Sequence, residues 1–357
     1  MPTSVVAQGG IAGKEIQWEV NLASLGERAR PSIRGLSGLR SAALKLREDA
    51  SLLPLVAYYG TGRLWGEDKT YQGRRTSLTD VDERIEGYRD CLLPSSTFNG
   101  IAAWYERRMS ELQAPAFKES ILSNTAFLEA VRNAASTVLA PTGWHNLRWD
   151  TTLGSLVADH RVHGKLPISF LSDGVRNMLA LVADVARRCA SLNPHLGVET
   201  ALRTPGVLLI DEVDMHLHPR WQQLIVELLR KAFPSLQLVV STHSPHVLST
   251  VHNRSIRVIR ISDGLAAIRI PTLQTRGVES ADVLAAVMDV DPVPQTPEAK
   301  DLSIYRGLIE DGRAASASAI ELRSKLVRHF GDHHPVILDC DRLIRFQEFR
   351  LRRGPER

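Results

Sequence analysis

Apolar and polar positions alternate with a period of two along Ile16–Leu22, a pattern that predicts a half-buried strand. From Leu39 to Ala50 apolar residues recur three and four apart among helix formers. Pro54 then opens Leu55-Val56-Ala57-Tyr58-Tyr59, an apolar run ended by Gly60 that reads as a buried strand. Residues 66–80 are polar and turn-rich, a loop. Asn99–Gln113 and Phe117–Leu139 both carry helical periodicity and are expected to form an inserted helical arm or lid. From Trp144 short alternating strands follow (Asn146–Trp149, Ser155–Asp159, Leu166–Phe170), and then a helix, strand, helix, strand series, the mark of a parallel α/β sheet. Beyond residue 272 the pattern is helical again. Pro292, Pro294 and Pro297 mark a linker before a helix over Pro297–Asp311.

The 357 residues suffice for one large or two ordinary domains with a sizeable core. A formal charge of +4, from 44 Lys and Arg against 40 Asp and Glu, is too near balance to argue for nucleic acid. Only the C-terminal end is locally basic, with Arg342, Arg345, Arg350, Arg352, Arg353 and Arg357 among acids, which reads as a solvated helix face. Cys91, Cys189 and Cys340 lack the paired spacing of a zinc site or disulfide framework and fit a reducing cytosol. No stretch approaches the roughly 18 apolar residues of a membrane span, and no signal-peptide pattern opens the chain, so a cytoplasmic protein with no membrane partner is expected.

Three segments carry chemistry. Gly206-Val207-Leu208-Leu209-Ile210-Asp211-Glu212 reads as a strand buried on both faces that delivers two carboxylates to the carboxyl edge of a parallel sheet, where such sheets bind ligands. Phosphoryl transfer from ATP needs one carboxylate for the Mg²⁺ shell and a second group to orient or deprotonate water; Asp211 and Glu212 suit those tasks, although an acidic pair at a strand end is also a helix-capping device. Leu171-Ser172-Asp173-Gly174 precedes a helix with the inward face Leu179, Val182, Val185, Ala186 and Cys189. Ser172 and Asp173 are ordinary N-cap residues, but a helix amino end with a glycine also admits a phosphate close to free N–H groups. Leu236–Val240 is a further apolar strand, followed by Ser241-Thr242-His243-Ser244-Pro245. Its histidine lies 32 residues after Asp211, with a crossover helix beginning near Pro219, so His243 is expected beside Glu212.

Together these segments resemble the signature motif, Walker B motif and switch histidine of ABC, SMC and RecF ATPases. Within that superfamily Asp211-Glu212-Val213-Asp214-Met215-His216-Leu217-His218-Pro219, Ser241-Thr242-His243-Ser244-Pro245, Ala57–Trp65 and Arg176–Val182 look like the AAA-type ATPases of bacterial defence and DNA-repair neighbourhoods. The resemblance covers residues 54–290. It implies a P-loop NTPase-type, ABC-like parallel sheet flanked by helices, with a small helical C-terminal region. It assigns Glu212 and His243 to catalysis, Ser172, Asp173 and Gly174 to ATP, and Asp211 to Mg²⁺. It also implies a head-to-head homodimer in which each signature completes the other subunit's ATP site, coupled to DNA or to a partner nuclease. His216 and His218 are assigned supporting or dimer-contact roles rather than a metal site, since no third ligand is spaced for zinc. Arg63, in a glycine-bounded turn, is left open between phosphate, partner and solvent.

The resemblance also shows a departure. The nearest phosphate-cradling loop, Gly9-Gly10-Ile11-Ala12-Gly13-Lys14-Glu15, has Gln8 where the first glycine belongs and Glu15 where Ser or Thr should meet Mg²⁺, and is rejected. Pro2–Gly10 is read as holding no apolar strand. The chain is therefore expected to lack its Walker A lobe: residues 1–143 a remnant of the N-terminal lobe with the helical insertion, 144–272 the C-terminal ATPase lobe, and 273–357 the helical end. Two alternatives stand beside the ATPase: a non-hydrolysing remnant or scaffold, and a helicase-like motor, since Asp211-Glu212-Val213-Asp214 also matches an acidic helicase box.

Overall fold

The computed structural model describes residues 3–11, 14–22, 32–34, 51–64, 84–93, 98–113, 121–262 and 264–353, together with Ser37 and Ser41. The loop expected over 66–80, and all but Ser41 of the helix expected over Leu39–Ala50, lie outside them. By contacts the chain divides into one unit of residues 1–256 with 274–277 and another of 257–273 with 278–357.

In the first unit, β1 (Thr3–Ile11) and β2 (Lys14–Leu22) form an antiparallel hairpin, and β3 (Ser32–Arg34) joins it on the β2 side. Strand β1 corrects the reading of Pro2–Gly10. Thr3–Gly10 lacks an apolar run, yet each of its residues pairs with β2, because the hairpin ladder, rather than burial, satisfies its backbone groups; Val5 and Val6 stay exposed. Gly10 faces Glu15 and Ile11 faces Lys14 in that ladder, so the described residues of the rejected phosphate loop are hairpin strand, while Ala12 and Gly13 lie outside the described residues.

The centre of the unit is a parallel sheet in the order β4 (Leu55–Tyr59), β8 (Gly206–Ile210), β9 (Leu236–Val240). Its register aligns Leu55 with Gly206 and Gly206 with Leu236, so the three carboxyl ends finish level. The close approach explains Gly206: with φ at 149°, a Cβ there would lie 2.0 Å from the Leu55 carbonyl oxygen. One face of the sheet buries Leu55, Ala57, Tyr59, Leu208 and Ile210. The other is more open than an all-apolar strand suggests, with Val207 and Leu209 half-buried and Val56 and Val239 exposed.

Between β4 and β8 run α1 (Phe98–Gln113), α2 (Ile121–Leu139), the antiparallel meander β5 (Trp144–Asp150), β6 (Ser155–His160), β7 (Gly164–Pro167), and α3 (Asp173–Leu192). The two helices expected as an arm or lid are instead part of the core. Ile101 and Tyr105 of α1 and Phe127, Val131, Ala134, Ala135, Val138 and Leu139 of α2 are buried, and α2 packs on α3. Small and apolar residues on more than one side of α2 require cover that solvent cannot give. Helix α3 is buried nearly all round, and its far end is held by Asn193, which pairs with both backbone groups of Leu53.

The crossover from β8 to β9 passes a single helical turn at Pro219–Gln222 and α4 (Ile225–Ala232), whose Ile225 and Leu229 are buried. The second unit holds the exposed hairpin β10 (Val258–Ser262) and β11 (Leu265–Arg269), then α5 (Ser280–Met288). Last come three packed helices, α6 (Pro297–Glu310), α7 (Ala317–Phe330) and α8 (Pro335–Arg353), around Tyr305, Ile309, Ala319, Leu326, Ile337 and Cys340. Among the described residues no helix is long and apolar enough to cross a membrane.

Candidate functional site

Parallel strands ending level bring the segments after β8 and β9 together. The Asp211 N–H donates to the Tyr59 carbonyl at 2.8 Å, and the Ser241 N–H to the Ile210 carbonyl at 3.0 Å, each extending the ladder one residue past its strand. The chain then turns sharply. Glu212 has φ at 49°, a left-handed conformation costing a non-glycine residue about 1–3 kcal/mol, which persists only where neighbours fix it. Here they do: the Glu212 N–H donates to Ser241 Oγ at 2.9 Å, the Val213 N–H to the Ser241 carbonyl at 3.0 Å, and the Met215 N–H to the Glu212 carbonyl at 3.0 Å. Adjacent residues on a regular strand point to opposite faces. The left-handed turn breaks that alternation at the acidic pair.

His243 Nε2 lies 3.3 Å from Glu212 Oε1; the imidazole is 82% exposed and the carboxylate 28%. The loop bearing His243 also meets the acids through its hydroxyls. Ser241 Oγ donates to Asp211 Oδ1 and Thr242 Oγ1 to Asp214 Oδ1. Behind them the buried Ser244 donates to Gln222 Oε1 at 2.7 Å and accepts from the His246 N–H at 3.1 Å, so the loop is anchored on the crossover and capped into the next turn. His218 serves as a cap, its Nδ1 accepting the Arg220 N–H at 3.3 Å.

Thus Ser241 links Asp211 and Glu212 by hydrogen bonds, and His243 stands 3.3 Å from Glu212 at the carboxyl edge. Ser172 and Asp173 occupy the exposed amino end of α3, and Asp173 pairs with Arg176 at 2.5 Å. Gly174 is buried, and a Cβ there would lie 2.4 Å from the His216 carbonyl oxygen. The helix end therefore rests directly on the loop that follows the acids, and His216 itself is left-handed, with φ at 60°. Arg63 falls in the turn Thr61–Leu64 after β4.

Sequence reasoning gave no role to Ser241, Thr242, Asp214 or Gln222. Their signal was the run of hydroxyls around His243. It also missed a buried ion network behind the site. Tyr59, the last residue of β4, donates its hydroxyl to Asp184 at 2.7 Å, and Asp184 accepts from Arg187 at 2.6 Å and Arg188 at 2.8 Å. Burial alone would raise the Asp184 pKa, but the two guanidiniums outweigh it and hold the carboxyl at about 2. Burial and the Asp184 charge push the Tyr59 phenol well above its usual value.

The carboxylate oxygens of Asp211 fit a hard cation such as Mg²⁺, which takes one or two carboxylates and completes its shell with water and phosphate. The Glu212 and His243 pair fits a water and a phosphoryl group. Among the described residues the glycine-rich stretch Gly9–Gly10 is held in a ladder and fits no phosphate cradle.

Residues 109–249 match the family described as AAA domain, putative AbiEii toxin, Type IV TA system. The chain is 29% identical over 341 residues to the Retron Vc95 probable ATPase of Vibrio cholerae serotype O1 biovar El Tor, covering 83% of this chain and 65% of that one. It is 33% identical over 217 residues to the Retron Ec83 probable ATPase of Escherichia coli, covering 60% and 38%. The chain thus spans less than two thirds of either relative's length. Among solved structures, the SMC head domain from Thermotoga maritima aligns with a TM-score of 0.39 at 15% identity, over 76% of this chain and 74% of that one. Over residues 109–249 the chain is thus similar to an AAA-type, AbiEii-like ATPase domain, and over longer stretches it is similar to the retron probable ATPases.

Proposed function

We propose that this chain supplies the metal-holding and water-orienting half of an ATP hydrolysis site. The observation that carries the reading is the Glu212 carboxylate, turned by a left-handed backbone to within 3.3 Å of the His243 imidazole, with Asp211 clamped beside it at one sheet edge. Asp211 would hold Mg²⁺, which when bound neutralises charge on the phosphates. Glu212 orients the attacking water and accepts its proton. His243 steadies that carboxylate and presents its exposed edge to the γ-phosphate. Ser172, Asp173 and Gly174 offer a helix amino end to a phosphate. In a head-to-head homodimer that phosphate belongs to the ATP of the other subunit. Work of this kind, coupled to DNA or to an effector such as a nuclease, suits the defence setting suggested by the toxin family and the retron relatives.

In the full-length protein, Glu212→Gln is expected to lower kcat about 100-fold or more, the usual worth of a positioned general base, while ATP binding persists and the dimer accumulates in sedimentation. Wild-type turnover in that variant would sink the assignment. A second reading, a scaffold that holds no nucleotide, is favoured by the ladder that occupies Gly9–Gly10. Calorimetry decides between the two, since micromolar or tighter ATP binding by this chain excludes the scaffold.

A further inference from the structure

We propose that Ser241 is a positioning residue for hydrolysis, one hydroxyl that aligns the metal-holding acid and the water-orienting acid together. The inference rests on the roles given above to Asp211 and Glu212. Its ground is the double use of one atom: Ser241 Oγ accepts the Glu212 N–H at 2.9 Å and donates its only proton to Asp211 Oδ1. A hydroxyl has one proton and two acceptor sites, so the two bonds are compatible and fix its rotor.

Each bond acts on a different acid. The first satisfies the amide of a residue held left-handed, and so sets where the Glu212 carboxylate stands relative to His243. The second fixes one Asp211 oxygen, so the carboxylate presents a defined edge to a cation that tolerates little departure from octahedral geometry. The backbone of Ser241 is committed as well, its N–H to the Ile210 carbonyl and its carbonyl to the Val213 N–H. The side chain therefore sits on a frame that cannot shift without breaking the ladder between β8 and β9. The next residue repeats the device, with Thr242 Oγ1 donating to Asp214 and accepting the Ser244 N–H at 3.0 Å. Two successive hydroxyls thus tie the histidine loop to the acidic loop, and only the first touches the acids assigned to chemistry. Alanine at 241 would leave the Glu212 amide without that acceptor and the Asp211 carboxylate without that donor, while threonine would keep the hydroxyl.

The test compares Ser241→Ala, Ser241→Thr and Glu212→Gln in the full-length protein, reading steady-state hydrolysis against ATP and Mg²⁺ and hydrogen exchange at the Glu212 amide. Ser241→Ala is expected to lower kcat about tenfold or more, raise the half-saturating Mg²⁺ concentration several-fold, leave KM for ATP within about twofold and speed the Glu212 amide about tenfold. Ser241→Thr is expected to restore all of these to within about threefold of wild type, which a hydroxyl that merely filled space would not require. Wild-type kcat and Mg²⁺ dependence in Ser241→Ala, beside a crippled Glu212→Gln, would overturn the role of Ser241 alone. Wild-type turnover in Glu212→Gln would overturn the parent reading and the catalytic part of this one. Amide exchange unchanged in Ser241→Ala would overturn the clamp itself, whatever the turnover.

Discussion

Asp184 shows how much one side chain carries behind the site. It is buried, accepts from Tyr59, Arg187 and Arg188, and stays ionised because two guanidiniums outweigh its desolvation. Removing its charge leaves both arginines uncompensated, so Asp184→Asn is expected to cost about 3–5 kcal/mol in urea denaturation. The pH dependence has a definite sign. The folded pKa, about 2, lies below the ordinary 3.8, so the stabilisation is complete above pH 4 and is lost as pH falls through 2. It amounts to roughly 2 kcal/mol at one pKa unit per 1.36 kcal/mol. The stability gap between wild type and Asp184→Asn should therefore narrow between pH 4 and pH 2 in thermal melts; a constant gap would show that the carboxylate is not the titrating group. None of this was legible in the sequence, because Tyr59 and Asp184 are 125 residues apart and nothing in either neighbourhood announces the other. The juxtaposition of Asp211, Glu212 and His243 was legible because they come at or just past the ends of apolar runs, and parallel strands joined by a crossover put such positions side by side.

At the scale of elements the decisive contact is β4 against β8. Gly206 begins β8 where only a hydrogen fits against the Leu55 backbone, so Gly206→Ala must either part the strands or strain a residue at φ 149°. A loss of about 2–4 kcal/mol in urea denaturation is expected, and a change under about 0.5 kcal/mol would show that the strands part freely. Strands β4, β8 and β9 were readable as apolar runs between turn residues. The hairpin β1 and β2 was only half readable: the alternation of β2 is visible, whereas β1 has no apolar pattern and takes its structure from its partner. Helices α1 and α2 had a readable period but not a readable place. Periodicity reports that a helix has a face to bury, and does not say whether the cover is a partner arm or the central helix α3.

At the scale of the molecule the two units differ in how much core they own. The first gathers the sheet, α2 and α3 into one extended cluster, while among the described residues α6, α7 and α8 close over six fully buried side chains. Small cores leave small margins. Leu326→Ala, at a site 1% exposed, is expected to cost the helical bundle about 2–5 kcal/mol, read as faster hydrogen exchange across residues 297–353. Exchange unchanged there would mean that the bundle does not depend on this core.

The contact of Gly174 with the His216 carbonyl gives the site a joint without free play. A side chain interposed between α3 and the acidic loop would flex and absorb small displacements; bare backbone against backbone does not. The amino end of α3, where Ser172 stands, therefore packs on the loop that follows Glu212 at a distance that only a hydrogen at position 174 permits.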